Sequence, residues 1–372
     1  MLRELVRPAS LARHLNMAGA GVLSGAAREA LQSMIAAQYE GGYGARDGAM
    51  ALYGQAREAL AAMVGAQADE LSFQPSVSAV VSMIAASVSL RPGDQVLSWA
   101  AEYPSNLQAW ARRAQACDAQ LVLADVPHVG LLAQAVTPST RVVAVSSIQS
   151  LDGAVADLAS LRHACDRVGA LLLVDVSQHL GVVPFDFAAS GADFAYGCSH
   201  KWLLGPPGVT LLMARRQRHP MLAVQVHGAG NYQGALGRRF DSQRLLREDL
   251  GRLEGGTPPL MATLATAASA RALHAAGVDQ IQQGALTSRQ VVEKVFARRG
   301  HESMPSGDVN GALQSPIIAF DLPPEELTRW IDGLNRVGVQ HIERGGVLRF
   351  SPWLMHETEL TELQALLEQA AP

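Results

Sequence analysis

Leu171-Leu-Leu-Val-Asp-Val-Ser-Gln-His179 and Tyr196-Gly-Cys-Ser-His-Lys-Trp-Leu-Leu-Gly-Pro-Pro-Gly208 decide how the chain is organised. The first opens with four apolar residues in a row, the pattern of a strand covered by helices on both faces. Asp175 closes that strand. The second carries a similar run, Phe194-Cys198, to Ser199, His200 and Lys201, and then into turn formers. A carboxylate and a lysine therefore stand at the ends of consecutive strands. In open α/β sheets, ligands sit beyond the carboxyl ends of the strands.

Working outward, short β-rich runs alternate with helical periodicity from about residue 70 to 215. The runs are Leu71-Phe73, Gln95-Ser98, Gln120-Ala124, Arg141-Ser146, Leu171-Asp175, Phe194-Cys198 and Val209-Met213. Helices are expected over 25–39, 47–64, 77–89, 105–116 and 155–168. This alternation predicts an α/β fold with a mostly parallel seven-stranded sheet. The stretch 225–257 is rich in Gly, Gln and Arg, lacks periodicity and reads as a long, mobile surface segment. From Pro258, Ile317-Phe320, helix 324–336, Gln340-Ile342, Val347-Phe350 and helix 357–370 predict a smaller C-terminal α+β unit. The expected division is an N-terminal segment 1–24, a large domain 25–257 and a small domain 258–372.

The chain has 372 residues, 48% apolar and 17% charged. A charged share below the ~25% usual for globular domains, with so many apolar residues, excludes a disordered chain. A net charge of -4 with 5% aromatics argues against a nucleic-acid partner. Cys117, Cys165 and Cys198 are too scattered for a disulfide framework or a zinc site. Residues 1–18 lack a signal-peptide core, and the apolar stretch 79–90 is too short to span a bilayer, so a cytoplasmic protein without a membrane partner is expected.

Of the 30 basic residues only two are lysines, Lys201 and Lys294; the other 28 are arginines. Where charge alone is needed this chain uses arginine, so a retained lysine points to chemistry arginine lacks. Arginine stays protonated and forms no imine. Lys294 shares a helical stretch with Val291, Val292, Val295 and Phe296, which make the apolar face and leave it in solvent. Lys201, among apolar residues and turn formers, is the reactive candidate.

A lysine and a strand-end carboxylate are what pyridoxal 5'-phosphate (PLP) requires. The lysine forms the imine, and the acid keeps the pyridine nitrogen protonated so that the ring accepts electrons. Taken alone, Asp175 reads more readily as a helix cap or turn carboxylate; paired with Lys201 it carries the chemistry. The cofactor's phosphate needs a cradle. Phe73-Gln-Pro-Ser-Val-Ser-Ala79 opens a helix directly after a strand, so Ser76, Val77 and Ser78 offer hydroxyls and N–H groups to an anion. The same segment also reads as a plain serine N-cap.

With these motifs in place, the chain resembles the class V aminotransferases, fold type I PLP enzymes that include cysteine desulfurases, kynureninases and C–S lyases. The resemblance runs from His14-Leu-Asn-Met-Ala-Gly19 to Arg349-Phe-Ser-Pro352 and is most specific over 171–208. It implies Lys201 as the Schiff-base lysine and Asp175 as the pyridinium partner. Gln178 would donate to the cofactor's phenolic oxygen and His200 would contact the phosphate. Cys198 and Ser199 share the place of the phosphate-binding serine. Tyr103, in Glu102-Tyr-Pro-Ser-Asn106, would stack on the cofactor ring, and Gln149 would lie near its phenolic oxygen. Gly256 and Thr257 would reach the phosphate of a neighbouring subunit, which implies a homodimer with shared active sites. Arg349, Asn16 and Tyr43 would bind the amino-acid substrate, Arg349 through its carboxylate.

The same resemblance separates reactions. A persulfide-relay desulfurase carries a mobile cysteine shortly before the substrate arginine, and residues 301–372 contain none. The expected reaction is therefore action on an amino acid through an external aldimine, with Cα deprotonation and β-elimination, and without a protein persulfide. Transamination to a 2-oxo acid stays open, as does a PLP-fold protein that binds without catalysis. The segment 225–252, with His227, Arg238 and Arg239, is expected to govern substrate choice.

Overall fold

The computed structural model describes residues 5–6, 10–42, 44–234, 241–311 and 313–372. Two helices lead, α1 (Gly25–Gly41) and α2 (Gly44–Met63), the first capped by Ser24, whose Oγ accepts from the Ala27 N–H. The large sheet follows as β1 (Leu71–Gln74), β2 (Gln95–Trp99), β3 (Gln120–Ala124), β4 (Thr140–Ser146), β5 (Leu171–Asp175), β6 (Phe194–Cys198) and β7 (Thr210–Ala214). Between these strands run α3 (Val77–Ser87), α4 (Pro104–Ala116) and α5 (Leu158–Val168). The strand order is β1-β7-β6-β5-β4-β2-β3. Pairs β2–β3, β2–β4, β4–β5 and β5–β6 are parallel, and β7 alone runs against its neighbours β1 and β6. The expected seven-stranded, mostly parallel α/β sheet is what forms. The fully buried β5, β6 and β7 are strands covered on both faces.

The C-terminal part begins with α6 (Leu260–Ala276) and α7 (Val278–Ala297), then β8 (Ile318–Asp321), α8 (Pro324–Val337), β9 (Ile342–Arg344), β10 (Val347–Phe350) and α9 (Glu357–Ala370). Its sheet, ordered β8-β10-β9, is antiparallel. Phe296 of α7 stacks between Phe320 and Trp330 with ring centroids 4.0 Å from each. Lys294 on the same helix is exposed, as its periodicity requires.

Residues 13–24 strap the two sheets together. Gly21 N–H donates to the His200 carbonyl and Ser24 N–H to Leu204, while Met17 N–H donates to Ser351 and Gln340 N–H to Arg13. A Cβ on Gly21 would stand 2.0 Å from the Lys201 carbonyl oxygen, so only glycine lets the strap cross there.

Three sequence expectations shift. The helix expected from residue 155 starts at Leu158 because Asp157 caps it, Oδ1 accepting from Ser160 N–H. The strand expected at Gln340-Ile342 is Ile342–Arg344, since Gln340 is engaged by the strap. The segment 225–257 is not loose along its whole length. Glu254 accepts from both Arg57 guanidinium nitrogens (2.9 and 2.7 Å), from Tyr53 Oη (3.0 Å) and from Phe73 N–H (2.8 Å). That clamp pins its C-terminal end to β1 and buries Leu250 and Leu253. Arg238 and Arg239 lie outside the described residues.

Candidate active site

A cleft of about 380 Å³ opens beyond the ends of β5 and β6. Asp175 and Ser177 line it from β5, and Cys198, His200 and Lys201 from β6. Ser76, Val77 and Ser78 at the start of α3 and Tyr103 before α4 form the other wall. Lys201 Nζ lies 5.7 Å from the centre of the Tyr103 ring. Ser76 caps α3 through Ala79 N–H, and the helix still presents first-turn N–H groups without intrahelical partners. Both readings of this segment, cap and anion cradle, are compatible. Burial and the neighbouring Lys201 push His200 below its ordinary value, so its imidazole is neutral at pH 7.

Asp175 is held from behind. Its Oδ1 accepts from Ser177 N–H at 2.7 Å and its Oδ2 from Asn106 Nδ2 at 3.0 Å. Asn106 Oδ1 accepts from the Tyr196 hydroxyl at 3.2 Å. Glu102 closes the network, accepting from Asn106 Nδ2, Ser146 N–H and Oγ, Gln149 Nε2 and Tyr103 N–H. Burial, with Asp175 and Glu102 nearby, pushes the Tyr196 phenol well above its ordinary value and keeps it a neutral donor. Sequence reasoning quoted Glu102 and Asn106 only as neighbours of Tyr103 and missed Tyr196. The available signal was a Glu and an Asn four residues apart around a Pro-started helix. Asn106→Ala orphans the Tyr196 hydroxyl and removes a donor from Asp175, so it is expected to cost about 1–3 kcal/mol. Urea denaturation checks this, and an unchanged midpoint would show that the network carries no stability.

The other candidates are placed as follows. Cys198 faces the cleft, whereas the buried Ser199 donates its hydroxyl to the Pro206 carbonyl and does not line it. Gln178 Nε2 donates to the Ala18 carbonyl (3.0 Å), and its Oε1 accepts from Trp202 Nε1 (2.8 Å), which fixes its amide against the strap. Gln149 is turned onto Glu102. Thr257, beside Gly256, lines a different groove, between α1, α2 and the start of α6. Tyr43 lies outside the described residues. Arg349 is 6% exposed, donates to the Ser150 carbonyl (2.7 Å) and to Asn16 Oδ1 (2.8 Å), and leaves Nε without a partner. Burial and the nearby Arg344 push its guanidinium down to about 10. No carboxylate among the described residues pairs with it, so a buried positive charge awaits an anion.

These residues fit PLP: a lysine beside an aromatic ring, a carboxylate fixed at a strand end, and a helix N-terminus for the phosphate. Together with the sheet they define a PLP-dependent enzyme of fold type I. The aminotransferase class-V family model matches residues 22–325, and the chain belongs to that family. A probable cysteine desulfurase of Methanothermobacter thermautotrophicus is 30% identical over 78% of this chain and 73% of its own length. Among solved structures, the cystine C–S lyase C-DES, in complex with its reaction product cysteine persulfide, superposes with a TM-score of 0.86 at 20% identity over 97% of this chain and 98% of that one. The cysteine desulfurase CsdA of Escherichia coli gives 0.82 at 21% identity over 99% and 96%.

Proposed function

We propose that this protein removes the Cα proton of a bound α-amino acid and expels a sulfur group from its β-carbon, a C–S lyase reaction. The observation that carries the reading is the gathering of Lys201 and Asp175 on one cleft, with the buried, acid-free Arg349 held by Asn16 and the Ser150 carbonyl. Bound PLP supplies the electron sink that makes a Cα proton labile. Lys201 Nζ takes that proton and returns it to the leaving group, acting as base and then acid. Asp175 holds a proton on the ring nitrogen. Arg349 grips the substrate carboxylate with its guanidinium fork, aligned by Asn16. The Tyr103 ring would cover the cofactor, while His200, Cys198 and the start of α3 would hold its phosphate.

Two features support release of sulfur on the product fragment rather than onto the protein. Residues 301–372 hold no cysteine, and the β9–β10 turn is Gly345-Gly346. Cys165 is buried with its thiol pushed up to about 11, and burial likewise raises Cys198. The relatives named cysteine desulfurase favour the alternative, transfer of sulfur to a protein cysteine. We also propose a homodimer. Thr257 borders an apolar groove lined in part by the exposed Leu52 of α2, a surface suited to a second copy that would receive Gly256 and Thr257 near its phosphate.

The test is incubation of the holoenzyme with cysteine, cystine and S-substituted cysteines. Pyruvate and ammonia, with the protein mass unchanged, are expected. A stoichiometric gain of one sulfur atom on Cys117, Cys165 or Cys198 would overturn the lyase reading in favour of a relay. A stable pyridoxamine form would replace it with transamination.

A further inference from the structure

Arg344 ends β9, and a two-residue turn through Gly345 and Gly346 (φ 62° and 90°) sends the chain back into β10. Two consecutive left-handed residues make a tight hairpin, so the point where Arg344 leaves the sheet is fixed by the backbone. In the register Arg344 faces Val347, and Arg349 faces Ile342. Facing residues share a side and strand residues alternate, so Arg344, Val347 and Arg349 all project from one face. Leu348 and Phe350 take the other face, where Phe350 packs on Phe296 and Phe320. The two arginines are diagonal neighbours, a relation that sets Cα atoms roughly 7–8 Å apart.

Like charges so placed cost stability unless something neutralises them, and nothing adjacent does. Among the described residues no carboxylate lies within ion-pair distance of either guanidinium. Glu343 is on the opposite face and accepts from Gly346 N–H. Asp152, the acid that feels Arg344, is buried, accepts from Ala154 N–H, and forms no ion pair with it. The half-buried Arg344 instead sits with Cζ 5.9 Å from the centre of the Tyr103 ring, the same ring that lies 5.7 Å from Lys201 Nζ. A second cation thus stands against the Tyr103 ring that walls the cleft, on the same sheet face as the arginine assigned to the α-carboxylate.

We propose that Arg344 binds a second anionic group, so that the preferred substrates are α-amino acids whose side chain ends in a carboxylate or an equivalent oxyanion. This rests on the cleft being an amino-acid site, and it holds whichever bond is then broken. A guanidinium on a fixed hairpin is suited to the task, because its fork matches an oxyanion and needs little ordering on binding. The neutral amide of the same shape would leave that cation unneutralised.

Isothermal titration of the holoenzyme with L-aspartate against L-asparagine, and L-glutamate against L-glutamine, reads the proposal without turnover. The native enzyme is expected to favour at least one acid over its amide by roughly ten- to a hundredfold, the worth of a charged hydrogen bond. That ratio should shrink as ionic strength rises. In Arg344→Gln it should fall to near one, and Arg344→Lys should keep part of it. A ratio near one in the native enzyme, no binding of either acid, or a ratio that survives in Arg344→Gln would overturn the assignment. A parallel assay with S-carboxymethyl-L-cysteine and its S-carbamoylmethyl amide separates the two claims. Failure of both to yield pyruvate would count against the lyase reading, while the titration ratio would still decide the role of Arg344.

Discussion

Lys201→Ala is expected to abolish turnover, with a loss of at least about 10³-fold, and to abolish covalent retention of the cofactor. General acid–base groups contribute in that range, and here the same nitrogen also supplies the covalent link. No other lysine is at hand, because the one remaining, Lys294, is exposed on α7. Lys201→Arg should be equally inactive. It keeps the charge next to Tyr103 but forms no imine and gives up no proton near neutral pH. Borohydride reduction followed by peptide mapping checks both variants. The native protein should carry the reduced cofactor on the peptide containing Lys201, and the variants should carry none. Label on Lys294, or turnover in the arginine variant, would sink the assignment.

The residues that proved legible share a physical cause. Asp175 and Lys201 stand at the ends of β5 and β6, strands buried on both faces and therefore continuous apolar runs with sharp ends. Lysine scarcity did the rest. What escaped depended on contacts distant in sequence. The motif singles out Gln178, but its bond to a carbonyl 160 positions away on the strap is a contact no local pattern announces. Glu102 collects donors from β4 and from Gln149, so its role exists only once the strands are in order. Glu254 holds its segment to β1 through Arg57, nearly 200 positions earlier, and composition alone made that segment look loose throughout. Arg344 was one of 28 arginines until the register put it on the face of Arg349.

Asp175→Asn separates the electronic role of the carboxylate from its structural one. The carboxylate accepts from Ser177 N–H on one oxygen and from Asn106 on the other. An asparagine here can keep the Ser177 bond through its Oδ1. Its NH₂ would then meet the Asn106 NH₂, a clash of two donors. Rotation of the Asn106 amide would relieve that clash only by breaking its Nδ2 bonds to Glu102 and Ser146 and setting Oδ1 against the Glu102 carboxylate, so one strained donor contact stays. The site keeps its shape and its Ser177 and Glu102 bonds, so the fold and cofactor binding should survive at some cost in stability. The negative charge does not. Without it the cofactor's ring nitrogen has nothing to hold its proton, and electrons released from Cα lose their sink. The expected loss in kcat is about 10²–10⁴-fold, with cofactor still bound. Proton removal should also become the slow step, so a substrate deuterated at Cα should show a larger isotope effect than with the native enzyme. Near-normal kcat and an unchanged isotope effect would mean that Asp175 serves only to anchor the turn at Ser177. Asn106→Ala removes a donor from Asp175 yet leaves its charge in place, so Asp175→Asn should be far more damaging to the reaction than Asn106→Ala.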